Sequence, residues 1–276
     1  MVRGSIGIFD SGLGGLSVFR SIARELPDYD YIYLGDNARV PYGNRSFDTV
    51  YRFTWECVLA LFKLNCPLVI IACNTASAKA LRSIQQNDLS SGDYRDRKVL
   101  GVLRPTTEII GHYTRSRRIG IMGTVGTVAS RSYEIEITKF FPDIHVYQQA
   151  CPLLVPLIEN NVHHTDGGRF FIKKYVDEML LQCAEIDTVV LACTHYPLIA
   201  SEMDNYLPTS VCLLSQGDIV ARSLKDYLQR HTEIEKRITT NQSRLFYTTD
   251  DPVEFDDKSA PFWGSGVSSS RIVVSV

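Results

Sequence analysis

Leu68-Val69-Ile70-Ile71-Ala72-Cys73-Asn74-Thr75 and Thr188-Val189-Val190-Leu191-Ala192-Cys193-Thr194-His195 are two copies of one pattern. Each is a short apolar run, rich in β-branched residues, that closes on a cysteine and then a polar pair. The apolar residues are continuous instead of alternating, which marks strands covered on both faces, as in a parallel sheet flanked by helices. Asn74 and Thr75 suit the start of a helix, so the first thiol stands where a buried strand hands over to a helix. The cysteines lie 193 − 73 = 120 residues apart, one in each half of the 276-residue chain.

The surroundings repeat as well. Ile6-Gly7-Ile8-Phe9-Asp10-Ser11-Gly12-Leu13-Gly14 aligns with Ile119-Gly120-Ile121-Met122-Gly123-Thr124-Val125-Gly126-Thr127. From the opening isoleucine to the thiol is 73 − 6 = 67 residues in the first copy and 193 − 119 = 74 in the second. A repeat this long implies two similar α/β domains facing each other across a cleft, not a solenoid.

Further strands are expected at 6–9, 31–34, 99–102, 119–122, 144–147, 211–214 and 245–247, beside 68–72 and 189–192. Val50, Phe53, Cys57, Leu61 and Leu64 recur at three- and four-residue spacing, so 46–66 reads as a helix that Pro67 ends. Phe171, Tyr175, Val176, Met179, Leu180 and Cys183 make a second such face. The fold class is therefore α/β, built from three-layer units. The polar stretch 85–97 is the best candidate for a domain boundary. In the tail, Ile272-Val273-Val274 has β character after a Gly/Ser-rich segment, but nothing in the sequence places it.

Composition narrows the function. The chain is 45% hydrophobic and 22% charged, with net charge −2 and no run of Lys or Arg of the kind that tracks nucleic acid. No stretch approaches the roughly 18 apolar residues of a membrane span. The N-terminus reads too short and too soon interrupted for a signal peptide. Seven scattered cysteines in such a chain read as reduced thiols, so the cytoplasm is the expected compartment.

A thiol at a helix start feels the positive end of the helix dipole and free N–H groups, both of which favour thiolate. An unperturbed cysteine, pKa about 8.5, is only roughly 3% ionised at pH 7; about 2 kcal/mol of local electrostatics would make it half ionised. Cys193 carries His195 two residues on, which could orient it, tune it or contact an anionic guest. Cys-x-His as half of a metal site lacks a second pair at ligand spacing, so no metal is expected. Asp10-Ser11-Gly12-Leu13-Gly14-Gly15 is a backbone-rich anion cradle without Walker or dinucleotide spacing, and Asp10 favours a guest bearing an ammonium group. In Asp36-Asn37-Ala38-Arg39-Val40-Pro41-Tyr42-Gly43, Pro41 stiffens the loop, Tyr42 could form a wall with a polar tip, and Gly43 lets backbone approach a ligand. No lysine is evident for loading pyridoxal, since Lys79 belongs to a helical face.

Taken together, the segments 10–15, 35–43, 72–78, Gly-Thr-Val-Gly-Thr at 123–127 and Ala-Cys-Thr-His-Tyr-Pro-Leu at 192–198 resemble the glutamate racemases, in the aspartate/glutamate racemase family. The resemblance covers 6 to about 217. It implies cofactor-independent interconversion of L- and D-glutamate for peptidoglycan, Cys73 taking the α-proton of the D-isomer and Cys193 that of the L-isomer. It places Asp10, Ser11, Pro41, Tyr42, Gly43, Asn74, Thr75, Thr194 and His195 around the substrate, with Asp10 and His195 assisting the two thiols. Thr124 and Glu159 match further positions nearby. Domains at 1–97 plus 213–276 and at 98–212 follow, with the active site between them. A homodimer is expected by default, with no cofactor, nucleic-acid or membrane partner. Departures are Arg104, where many members carry an acidic residue, and a long 86–97 segment. The alternatives weighed are a racemase of another amino acid such as aspartate, a thiol phosphatase lacking the needed arginine, and a glutamate-capturing binding protein.

Overall fold

The computed structural model describes residues 3–90 and 93–274. Among the described residues ten strands form two sheets, both wholly parallel. In chain order they are β1 Ile6–Asp10, β2 Tyr31–Gly35, β3 Leu68–Ile71, β4 Lys98–Gly101, β5 Arg118–Gly123, β6 His145–Ala150, β7 Thr188–Ala192, β8 Cys212–Leu214, β9 Arg244–Thr248 and β10 Ser269–Arg271. The first sheet runs β10-β9-β2-β1-β3-β4 and the second β6-β5-β7-β8. Strands 2-1-3-4 and 6-5-7-8 therefore share one order, so the internal echo is a repeat of topology and each thiol follows the third strand of its copy.

Burial explains the continuous apolar runs. Every residue of β1, β2, β3 and β7 is buried, because helices cover both faces. Each such aliphatic side chain contributes about 1.5–3 kcal/mol on leaving water. One apolar cluster runs from Ile6, Ile8 and Leu16 across to Ile121, Met179 and Val190, so the lobes share packing. Gly217 brings the helix Gly217–Arg230 against the helix Gly15–Glu25: a Cβ there would lie 2.7 Å from Ser21 Oγ.

Several local expectations need correction. The helix Phe47–Lys63 stops four residues before Pro67, where Asn65 takes a left-handed φ of 65°; asparagine tolerates that conformation, so it performs the stop. β4 continues the first sheet and β8 the second, so the sheets exchange the chain after Gly101 and after Leu214 instead of at 97 and 212. The tail is placed by Ser269–Arg271, which pairs with β9, while only Ile272 N of the apolar trio reaches Thr248 O, at 2.9 Å. Among the described residues no helix is long and apolar enough to cross a membrane.

Candidate active site

A cavity of about 210 Å³ opens at the carboxyl ends of the central strands of both sheets, where ligands bind in open α/β folds. Cys73 and Cys193 both line it, with Ser11, Pro41, Tyr42, Gly43, Asn74, Thr75, Thr194 and His195. Of the residues expected around a substrate, Asp10 alone does not reach the wall. It is fully buried beneath it, with Oδ2 accepting from Gly12 N at 2.9 Å and Oδ1 lacking a partner in hydrogen-bond geometry. Burial raises the Asp10 pKa, against the pull of His195 and the nearby N–H groups.

Cys73 caps the helix Asn74–Lys79 through its sulfur, which accepts from Ala76 N at 3.4 Å, and Ser11 Oγ donates to it at 3.4 Å. These are the contacts expected to favour thiolate, yet burial and then the charge of Asp10 win, pushing the thiol up to about 12. The charge of Cys193 adds a smaller part of the rise.

The second thiol has the opposite neighbour. Cys193 Sγ lies 3.9 Å from His195 Nδ1, and His195 Nε2 lies 2.9 Å from Glu159 Oε1. Burial pushes the imidazole down, but the hydrogen bonds to Cys193 and Glu159 outweigh it and hold His195 up at about 10. Glu159 is in turn held below its ordinary value by His195, despite its own burial. The two thiols therefore stand beside a carboxylate and an imidazolium respectively.

Contacts between lobes close the site. Thr75 Oγ1 meets Thr124 Oγ1 at 2.8 Å and Thr127 Oγ1 at 3.3 Å. Gly126 N donates to Gly43 O at 2.7 Å. Gly14 must lack a side chain, because a Cβ there would stand 2.3 Å from Thr194 Oγ1 and 2.4 Å from His195 Nδ1. Tyr42 is held from behind: its hydroxyl donates to Asp36 Oδ2 at 2.5 Å, and Asp36 also accepts from Arg39 and Thr249. Arg104 pairs with Glu108 at 2.7 Å on the surface and does not line the cavity. Lys79 Nζ donates to Arg45 O at 2.6 Å and is likewise outside the wall.

Sequence reasoning missed Cys151, Pro152, Val155, Pro156 and Asn160, which line the cavity beside Glu159. The signal was present. β6 is the counterpart of β2, so the loop after β6 had to face the cleft as the 36–43 loop does.

The sequence profile of the Asp/Glu/Hydantoin racemase family matches residues 6–224. A glutamate racemase of Persephonella marina is 38% identical over 248 residues, covering 90% of this chain and 89% of its own. The crystal structure of glutamate racemase isoform RacE1 from Bacillus anthracis superposes with a TM-score of 0.89 at 32% identity, covering 99% of both chains. That of the Francisella tularensis glutamate racemase in complex with D-glutamate gives a TM-score of 0.86 at 28% identity, covering 99% of this chain and 98% of its own. The profile over 6–224 and the relatives and fold over nearly the whole length agree, so the chain belongs to the Asp/Glu/Hydantoin racemase family, in its glutamate racemase branch, and is an isomerase.

Proposed function

We propose that the protein interconverts L- and D-glutamate by passing the α-hydrogen between Cys73 and Cys193, without a cofactor, and so supplies D-glutamate for peptidoglycan. The observation that carries this is one cavity lined by two thiols from equivalent strand ends of a repeated fold. Racemisation by two bases needs an acceptor on one side of the α-carbon and a donor on the other.

The surroundings suit that division. Cys73, pushed up to about 12, stays a thiol and is ready to donate. Cys193 has His195 Nδ1 3.9 Å from its sulfur, a group placed to take the thiol proton when that sulfur acts as acceptor. In the L-to-D direction Cys193 sulfur takes the α-proton and the electron pair spreads onto the α-carboxylate. The Cys73 S–H then protonates the opposite face of the carbon. The return direction exchanges these roles, and Asp10 beneath Cys73, with its raised pKa, is the base that would help empty that thiol. Hydroxyl and amide groups of Ser11, Asn74, Thr75, Thr124 and Thr194 line the wall and would hold the carboxylates. The cavity is below the roughly 300 Å³ lower limit for drug-sized ligands, consistent with a single amino acid.

Glutamate is preferred to aspartate because the relatives that match 90% or more of this chain at above 30% identity are glutamate racemases. The reading includes a cytoplasmic homodimer. A reducing compartment would keep both sulfurs free, and all seven cysteines are unpaired. The test is exchange of the α-hydrogen in heavy water without added cofactor, with glutamate and aspartate side by side. Glutamate should gain deuterium, and Cys73→Ala and Cys193→Ala should each abolish racemisation. Unlabelled glutamate ends the proposal; labelled aspartate alone reassigns the substrate; a single mutant with normal two-way activity excludes the two-thiol scheme.

A further inference from the structure

Behind the cavity wall a buried chain of hydrogen bonds runs from Asn74 to both places where the backbone crosses between sheets. Tyr133 OH donates to Asn74 Oδ1 at 2.6 Å. Gln216 Nε2 donates to the Tyr133 hydroxyl oxygen at 2.7 Å, and lies 2.9 Å from Thr106 Oγ1 and 3.2 Å from Val102 O. All five residues are buried. Val102 follows β4 and Gln216 follows β8, so the chain is anchored at the two crossings.

Its direction is forced from one end. A backbone carbonyl only accepts, so Val102 O requires Gln216 to turn its NH₂ inward. That nitrogen has no lone pair to offer, so Tyr133 must accept from it and direct its single proton at Asn74. Asn74 must then present its carbonyl to Tyr133. The free end of its amide is Nδ2, on a side chain that lines the cavity. Reversing any link would set two acceptors or two donors face to face in a buried site, which is costly.

We propose that Tyr133 and Gln216 are positioning residues that fix the polarity of Asn74, so that the cavity receives an N–H donor for a substrate carboxylate and not a carbonyl acceptor. The identity of that carboxylate rests on the glutamate reading above. Neither residue touches the reacting atoms. Each acts through Asn74, and the anchor lies where the lobes join.

The test has two arms. Tyr133→Phe keeps the ring and removes the proton, releasing the amide. Gln216→Glu supplies an acceptor that draws the Tyr133 proton away, turning the Asn74 carbonyl toward the cavity. Because Asn74 would hold the carboxylate in the ground state and at least as strongly in the transition state, KM for both enantiomers should rise and kcat/KM fall about tenfold or more in Tyr133→Phe. Gln216→Glu should raise KM further, yet add less than about twofold in the Tyr133→Phe background, since its effect travels through that proton. An unchanged KM in Tyr133→Phe, or full additivity, overturns the relay. Tyr133→Phe still decides the matter if Gln216→Glu does not fold.

The second arm needs no substrate. Neutron diffraction of the deuterium-exchanged protein should show a deuteron from Tyr133 aimed at Asn74 Oδ1, with Nδ2 on the cavity side. The reverse orientation overturns the relay whatever the activity. That orientation in a protein that leaves glutamate unlabelled upholds the relay and removes the glutamate reading instead.

Discussion

Replacing Gly14 by alanine separates local propensity from lobe contact. Gly14 precedes the helix Gly15–Glu25 with φ −58° and ψ −35°, a helical conformation that alanine adopts without strain. Local propensity alone would make the change favourable by up to about 1 kcal/mol. The opposite lobe reverses the sign. The new Cβ would lie 2.3 Å from Thr194 Oγ1, 2.4 Å from His195 Nδ1 and 2.6 Å from His195 Cε1, about 1 Å short of ordinary contact. Neither neighbour can step aside cheaply. His195 is tied to Glu159 at 2.9 Å, and Thr194 O accepts from Ser17 Oγ at 2.8 Å.

Either the lobes part by about 1 Å or His195 swings away from Cys193. A misplacement of that size costs on the order of 100-fold in rate, and overpacking costs about 1–3 kcal/mol. The assay is α-deuterium exchange and loss of optical rotation with each glutamate enantiomer, beside urea unfolding. Gly167→Ala is the control. It lies in the helix Asp166–Gln182, where a Cβ would meet, beyond its chain neighbours and its own helix backbone, only Thr165 Oγ1 at 4.0 Å, so it should gain up to about 1 kcal/mol and keep its rate. A Gly14→Ala protein with the wild-type rate and higher stability would refute the contact at His195.

Two further outcomes are expected. His195 has a folded pKa of about 10 against an ordinary 6.5, so the stability it contributes is complete below about 6.5 and is lost as pH rises through about 10. Glu159→Gln removes one of the partners responsible; the alkaline fall in both urea stability and kcat/KM for L-glutamate should move to lower pH, and an unmoved limb counts against the pair. Burial and the Asp10 charge push the Cys73 thiol up to about 12, so it stays protonated at pH 7 in the substrate-free protein, and the residue is buried. Iodoacetamide followed by peptide mass mapping should therefore label exposed Cys212 well before Cys73, and early loss of Cys73 would contradict the burial argument.

Much of this architecture was legible locally. Runs such as Leu68–Ile71 and Thr188–Ala192 reveal themselves because a strand buried on both faces must be apolar at every position. The thiols could be placed at strand ends for the same reason. The edge strand Ser269–Arg271 left no such trace, since it is held by backbone pairing and by the Asp256 carboxylate accepting from Ser269 N at 3.0 Å, neither of which requires apolar residues. The 151–160 wall was missed although the repeat implied it, because its own residues carry no reactive motif beyond a cysteine and a glutamate.

Periodicity, capping residues and the duplicated motif are properties of neighbours along the chain, and they sufficed for the α/β class, the doubled lobe and the two sulfurs. Other properties belong to groups brought together from far apart. Asp10 lies under Cys73, Glu159 reaches His195 across 36 residues of chain, and Val102 orients the Asn74 amide through Gln216 and Tyr133. The sign of the Cys73 shift is the clearest case. Helix start and hydrogen-bond donors, visible in the sequence, favour the thiolate; burial and an adjacent carboxylate, created only by packing, oppose it and are larger. Desolvation depends on everything that surrounds a group, so only the assembled lobes could decide it.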